Sequence, residues 1–267
     1  MKQISILGCG WLGLPLAKSL LKNGFSVKGS TTSLDKISVL ENARIDAFQI
    51  ELSEQKIIGE LNSFLENSEI LIIDIPPKLR GSSKENFVTK IQNLIPFIEK
   101  ASVEKVIFIS STSVYADDNS IITEATIPNS ETESGKQLAE TENLLQSNTN
   151  FKTTVIRFGG LIGDNRHPIH FLAGRQNLEN PEAPINLIHQ TDCIGIIEKI
   201  IEKDCWNENF NAVAPFHPTR KEYYTQKALK FNLPLPEFEK GKTSVGKTIL
   251  SYKVETVLGY KFQNTTL

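Results

Sequence analysis

The chain has 267 residues, 39% of them hydrophobic, and a formal net charge of −2. This is enough apolar content for a substantial core in one two-lobed domain or two small ones, which excludes a disordered chain. Nearly balanced charge without a long basic run gives no reason to expect nucleic acid or an acidic membrane as partner.

Three cysteines, Cys9, Cys193 and Cys205, stand at neither disulfide-framework nor metal-ligand spacing. A reducing, cytoplasmic compartment and no structural metal are therefore expected. The first strand begins within a few residues of the N-terminus, leaving no room for a signal peptide, and no apolar stretch approaches the ~20 residues that cross a bilayer.

In chain order, an apolar strand runs into Gly8-x-Gly10-x-x-Gly13 and then into an amphipathic helix ended by Asn23-Gly24. Each glycine has its own task. Gly8 turns the chain out of the strand, Gly10 lets backbone approach a diphosphate, and Gly13 allows helix and strand to pack closely. Backbone N–H groups around Trp11, Leu12 and Gly13 then present the positive end of the helix to that anion. Pro15 suits a first turn.

Residues 25–29 read as a second strand, and Ser33 as the cap of a helix carrying Ile37, Val39 and Leu40. Residues 46–52 read as a third strand and 57–65 as a helix. Residues 69–74 form a continuous apolar run of the kind covered on both faces, ended by Pro76-Pro77. A helix over 86–100 leads to a strand over 105–110, and one over 135–146 to a strand over 153–157. Strands alternating with helices predict an α/β fold, a Rossmann-type doubly wound parallel sheet.

After Arg157 the alternation loosens. Residues 163–184 read as an irregular excursion holding His167 and His170, and 184–189 as a short strand. Asp192 is read as capping a helix to about residue 202. Residues 210–213 return as a strand, 219–231 form a helix, and 251–258 a short helix stopped by Gly259. The expected organisation is a coenzyme-binding domain over 1–162, with 184–214 returning to it. A small C-terminal substrate lobe takes 163–183 and 215–267.

The stretches SSTSVY (110–115), RFGGLIG (157–163), RHP (166–168) and NLIH (186–189), with Asp192 before a helix, make the chain similar to the extended or atypical short-chain dehydrogenase/reductases. The nearest likeness is the NAD-dependent epimerase/dehydratase-like branch. This resemblance implies that Glu51 and Leu52 flank the adenine and that Ile75, Pro76 and Pro77 line the adenosine side. It implies that backbone at Phe158, Gly159, Gly160 and Leu161 faces the nicotinamide. Ser111 matches the family's substrate-binding hydroxyl and Lys136 its lysine, which also serves the coenzyme; His189 and Asp192 are weaker candidates.

Two departures stand out. Leu7 replaces the first glycine of the family's loop, and Thr132 stands where the Tyr-x-x-x-Lys dyad has its tyrosine. That tyrosine works because nearby positive charge makes it acidic enough to exchange a proton with an alcohol, and a threonine cannot substitute. Tyr115, Glu133 and His167 are the alternative acids. Tyr115 reads rather as a packed aromatic with its hydroxyl satisfied, and His167 and His170 as loop residues rather than metal ligands, since no third ligand stands near them in sequence.

At the end of the second strand, Thr31, Thr32 and Lys36 replace the carboxylate that holds a ribose 2′-hydroxyl, so the cofactor is NADP or NAD, with NADP favoured. The expected activity is that of an oxidoreductase or epimerase acting on a hydroxyl or carbonyl of a small polar, sugar-like metabolite. The rival is a non-catalytic coenzyme-binding sensor that has lost the tyrosine. A β-hydroxyacid-type dehydrogenase is disfavoured, because it demands an all-helical C-terminal part. A small-molecule substrate and, by the resemblance, a homodimer are the expected partners.

Overall fold

The computed structural model describes residues 2–77 and 85–266. Seven strands make one parallel sheet: β1 (Gln3–Leu7), β2 (Ser26–Thr31), β3 (Asp46–Gln49), β4 (Ile70–Ile73), β5 (Lys105–Ser111), β6 (Lys152–Phe158) and β7 (Asn209–Ala212). Their spatial order is β3-β2-β1-β4-β5-β6-β7. The chain reverses direction of winding between β1 and β4. That is the switch point at which open α/β sheets bind ligands, outside the carboxyl ends of the strands.

Strand side chains alternate between two covered faces. Ile4, Ile6, Ile70, Ile72, Ile107 and Ile156 enter one core. There they meet Leu16, Ala17 and Leu20 of α1 (Gly13–Lys22). Leu71, Ile73, Val106, Phe108 and Val155 enter the other core, where α3 (Leu61–Leu65) supplies Phe64 and Leu65; α2 (Ile37–Asn42) sends Leu40 to the first core. The same second core takes Ile91, Leu94 and Ile98 of α4 (Phe87–Lys100) and Leu138 and Leu145 of α5 (Glu133–Gln146). Each such side chain contributes about 1.5–3 kcal/mol on burial, which is why the central strands are apolar on both faces.

A third cluster joins Ile169 of α6 (Ile169–Leu172) to Ile185, Leu187 and to Tyr223, Tyr224 and Ala228 of a later helix, Arg220–Lys230. Between them in sequence, α7 (Gln190–Lys203) returns Ile196, Ile197 and Ile200 to the first core. Numbering the helix Arg220–Lys230 as α8 and Tyr252–Thr256 as α9, the tail follows α9 and packs Leu258, Tyr260 and Phe262 into that same core.

Several expected boundaries are corrected. The third strand stops at Gln49; Glu51–Leu52 leaves the sheet to pair antiparallel with Ile57–Ile58. The helix read over 57–65 therefore begins only at Leu61. Gly59 enforces the break, because its φ is +106° and a Cβ there would lie 2.0 Å from the Gln49 carbonyl oxygen. Ser33 precedes a 3₁₀ turn, Leu34–Lys36, without a side-chain cap bond. The strand read over 184–189 is confined to Leu187–His189, paired parallel with Gly160–Ile162. His189, not Asp192, caps α7 by accepting the Thr191 N–H.

Candidate functional site

The glycine-rich turn is held by contacts only glycine permits. Gly8 has φ +108°, and a Cβ there would lie 2.2 Å from the Asp74 carbonyl oxygen. A Cβ on Gly13 would lie 2.2 Å from the Gly8 carbonyl oxygen, so loop and helix touch through backbone. Gly10 differs, since no atom lies within 4 Å of where its Cβ would stand. That open space, beside a helix start with no capping side chain and no acidic residue in its first turn, is a cradle that fits a diphosphate.

The end of β2 fixes the turn. The Gly8 N–H donates to the Ser30 hydroxyl at 3.0 Å, and the Cys9 N–H to the Ser30 carbonyl at 2.7 Å. A cavity of about 220 Å³ opens beside it and brings together Gly8, Gly10, Thr31, Thr32, Glu51, Leu52, Ile75 and Pro76 from the sequence-based set. Trp11, Leu12, Gly13 and Pro77 do not line it, and the Leu12 side chain is buried in the core, leaving only its backbone for a ligand.

The cavity also holds Lys36, named with Thr31 and Thr32 above, and groups the sequence did not single out: Ser30, Asp74, Glu85 and Lys90. The buried Lys90 is paired with Glu85. Burial pushes the Asp74 carboxyl up to about 7, against the opposing pull of the Gly13 backbone N–H beside it. Burial first, and then the Asp74 charge, push the Cys9 thiol up to about 12, which makes it an inert core residue rather than a nucleophile.

Ser111 and Lys136 lie at a second place, on the carboxyl end of β5. The Ser111 hydroxyl accepts the Ser113 N–H at 3.1 Å, which leaves its own O–H available to donate. The first turn of α5 packs on the 3₁₀ turn Thr112–Val114, so closely that a Cβ on Gly135 would lie 2.2 Å from the Ser113 carbonyl oxygen. Lys136 is exposed on that turn and has no ion pair among the described residues. Thr132 is the N-cap of α5: its hydroxyl accepts the Gly135 N–H at 3.2 Å.

The alternative acids are differently placed. The Tyr115 hydroxyl is buried; it donates to Asn211 Oδ1 at 2.9 Å and accepts from Arg157 at 2.6 Å, and desolvation holds it above the usual phenol range. Arg157 in turn makes a buried pair with Glu142, 2.7 Å between Nη2 and Oε2, and Glu142 also accepts from Ser110 at 2.5 Å. His167 is buried against α6 and α8. Its Nδ1 accepts the Ile169 N–H, so Nε2 carries the proton toward the Tyr223 hydroxyl at 2.9 Å. Burial, with Lys227 and His170 nearby, pushes it down to about 4. Glu133 is exposed and accepts from Gln137 at 2.7 Å.

The glycines after β6 serve close packing. A Cβ on Gly159 would lie 2.6 Å from the Asn186 carbonyl oxygen, and one on Gly160 2.6 Å from Leu187. Their N–H groups are engaged by the Ala212 and Asn186 carbonyls. Phe158 is buried and Leu161 half-buried. Asp192, also buried, anchors the C-terminal tail by accepting from the Tyr260 hydroxyl and from the Gln263 and Asn264 N–H groups. No cluster of three or more metal-ligating side chains occurs among the described residues, and no helix among them is long and apolar enough to cross a membrane.

Sheet order, switch point and glycine turn define a Rossmann-type protein with the architecture of the short-chain dehydrogenase/reductases and their epimerase relatives. A family model described as NAD(P)H-binding matches residues 8–185, and the chain belongs to that family. It is 32% identical over 266 residues to Protein YeeZ of Escherichia coli strain K12, covering 98% of this chain and 96% of that one. The UDP-N-acetylglucosamine 4-epimerase of Bacillus cereus has a similar fold, with TM-score 0.78 at 16% identity, covering 98% of this chain and 94% of that one. A short-chain dehydrogenase/reductase superfamily protein of Agrobacterium tumefaciens with bound NAD gives TM-score 0.80 at 15% identity, covering 98% and 92%.

Proposed function

We propose that this protein is an NAD(P)-dependent oxidoreductase or epimerase of the atypical short-chain class, acting on a hydroxyl or carbonyl of a small polar, sugar-like metabolite. The observation that carries the reading is the open space over Gly10 at the start of α1, continuous with a cavity at the carboxyl ends of β1, β2 and β4. There the turn and the helix start hold a diphosphate, and Thr31, Thr32 and Lys36 hold the adenosine ribose. With hydroxyls and an ammonium at the end of β2, a 2′-phosphate is accepted, which favours NADP over NAD. The coenzyme supplies hydride transfer; the protein supplies binding, orientation and charge. Ser111 donates its free O–H to a substrate oxygen, and Lys136 adds a fixed positive charge there.

A second reading, a coenzyme-binding sensor without catalysis, is favoured by one set of contacts. Thr132 is engaged as a helix cap, and the Tyr115 hydroxyl and His167 imidazole are engaged in buried pairs, so none of these three is a free acid for a substrate beside Ser111. Calorimetric titration with oxidised and reduced NAD and NADP tests the shared part: no binding to any of the four removes both readings. Turnover of bound coenzyme with any member of a carbonyl and sugar-nucleotide panel supports the enzyme. Tight binding without turnover across that panel supports the sensor.

A further inference from the structure

The segment after β6 folds down onto the glycine turn. Gly163 and Arg166 exchange both backbone hydrogen bonds, at 2.9 and 3.0 Å, forming a tight turn with Asp164 and Asn165 at its tip. The Trp11 ring, next in sequence to Gly10, lies directly on this turn: a Cβ on Gly163 would stand 2.9 Å from it. The Arg166 guanidinium lies over the same ring, 4.8 Å from its centroid. The Gln190 side chain fixes the stack by donating to the Trp11 carbonyl at 2.6 Å.

Arg166 has five N–H donors in a rigid fork, and among the described residues none of them makes a hydrogen bond or ion pair. Asp164, the acid nearest in sequence, faces His189 instead, at 3.8 Å. A half-buried aromatic platform thus holds an unengaged, bidentate cation at the rim of the glycine turn, whose backbone is open at Gly10.

We propose that Arg166 is a coenzyme-binding residue that closes over the diphosphate from the small lobe, with Trp11 as its resting platform. This rests on the coenzyme reading given above and extends it. The N–H groups at the start of α1 hold one side of the diphosphate, and the guanidinium covers the side that faces water. Because Arg166 is carried by the segment leading to α6, coenzyme binding also ties the small lobe to the sheet.

The test is titration of the full chain and of Arg166→Met with ADP-ribose, which has the diphosphate, and with adenosine, which lacks it. Methionine keeps an apolar stem over Trp11 and removes the charge. The expected result is ADP-ribose affinity weakened about tenfold to a hundredfold, the loss of one charge-assisted contact, with adenosine affinity unchanged. ADP-ribose affinity equal in the two proteins overturns the proposal. So does an equal loss for adenosine, which assigns Arg166 to holding the loop in shape. If the unsubstituted chain binds neither ADP-ribose nor any of the four coenzyme forms, the coenzyme reading itself fails, and this proposal falls with it.

Discussion

The Asp74 carboxyl sits against the backbone N–H of Gly13, the first residue of α1, in the wall of the cavity that the glycine turn opens. A carboxyl of the protein's own thus stands at the helix end that would receive the coenzyme's diphosphate. Cys9 and Cys193 are the thiols that feel its charge, and Glu51, Glu85, Lys36 and Lys90 share its cavity.

Raised to about 7 by burial, Asp74 is protonated in the folded state over a range where the unfolded chain has it ionised. Its stabilising contribution is complete below about pH 4 and is lost as pH rises to about 7, after which it is level. Asp74→Asn removes that slope. At pH 8 this variant is expected to be more stable than the unsubstituted protein by about 2–4 kcal/mol in urea unfolding, with the difference vanishing toward pH 4. Coenzyme phosphates near the carboxyl disfavour its ionised form further, so affinity falls as pH rises through about 7, and Asp74→Asn flattens that dependence. Parallel unfolding and calorimetry from pH 5 to 8 measure both.

Gly10 and Gly13 separate folding from binding. Nothing surrounds the Cβ position of Gly10, so Gly10→Val is expected to change stability by no more than about 0.5 kcal/mol while removing coenzyme binding. Gly13→Ala meets the Gly8 carbonyl oxygen at 2.2 Å and costs about 1–3 kcal/mol in stability. Denaturant unfolding beside coenzyme titration reads the two effects apart.

The glycine turn was legible because strand, turn and helix are contiguous in sequence, and each glycine answers a local steric demand. The unbroken apolar run Ile70–Ile73 of β4 likewise announces two covered faces. What stayed hidden depends on distant partners. Ser30 meets Gly8 and Asp74 meets Gly13 only once β2 and β4 flank β1, and nothing near either residue marks it. The helix over 57–65 failed because Gly59 answers the Gln49 backbone, ten residues away. Asp192 looked like a cap by position, yet the tail that returns to residues 263 and 264 claims its carboxylate.

The buried Arg157–Glu142 pair links β6 to α5, with Ser110, Tyr115 and Asn211 completing the network. Glu142→Leu strands the guanidinium in the core and is expected to cost about 3–5 kcal/mol in urea unfolding. Glu142→Leu combined with Arg157→Met recovers much of that loss, because removing both charges removes the desolvation penalty too. A double variant no more stable than Glu142→Leu alone contradicts this account.

Ser111 ends β5 and Lys136 lies in the first turn of α5, which packs on the turn Thr112–Val114; in the function proposed above they would act on a substrate by different means. Ser111→Ala removes an O–H donor whose oxygen already accepts the Ser113 N–H, so the backbone turn loses about 1 kcal/mol while turnover falls about 100-fold. Lys136→Met removes an exposed charge and leaves stability unchanged within about 0.5 kcal/mol. Its turnover falls comparably, and its coenzyme affinity falls as well if the lysine also holds the coenzyme ribose. Single-turnover rates with the substrate found in the panel, set beside coenzyme titrations, separate the two roles. Unchanged rates in both variants would remove these residues from the chemistry and leave the sensor reading in place.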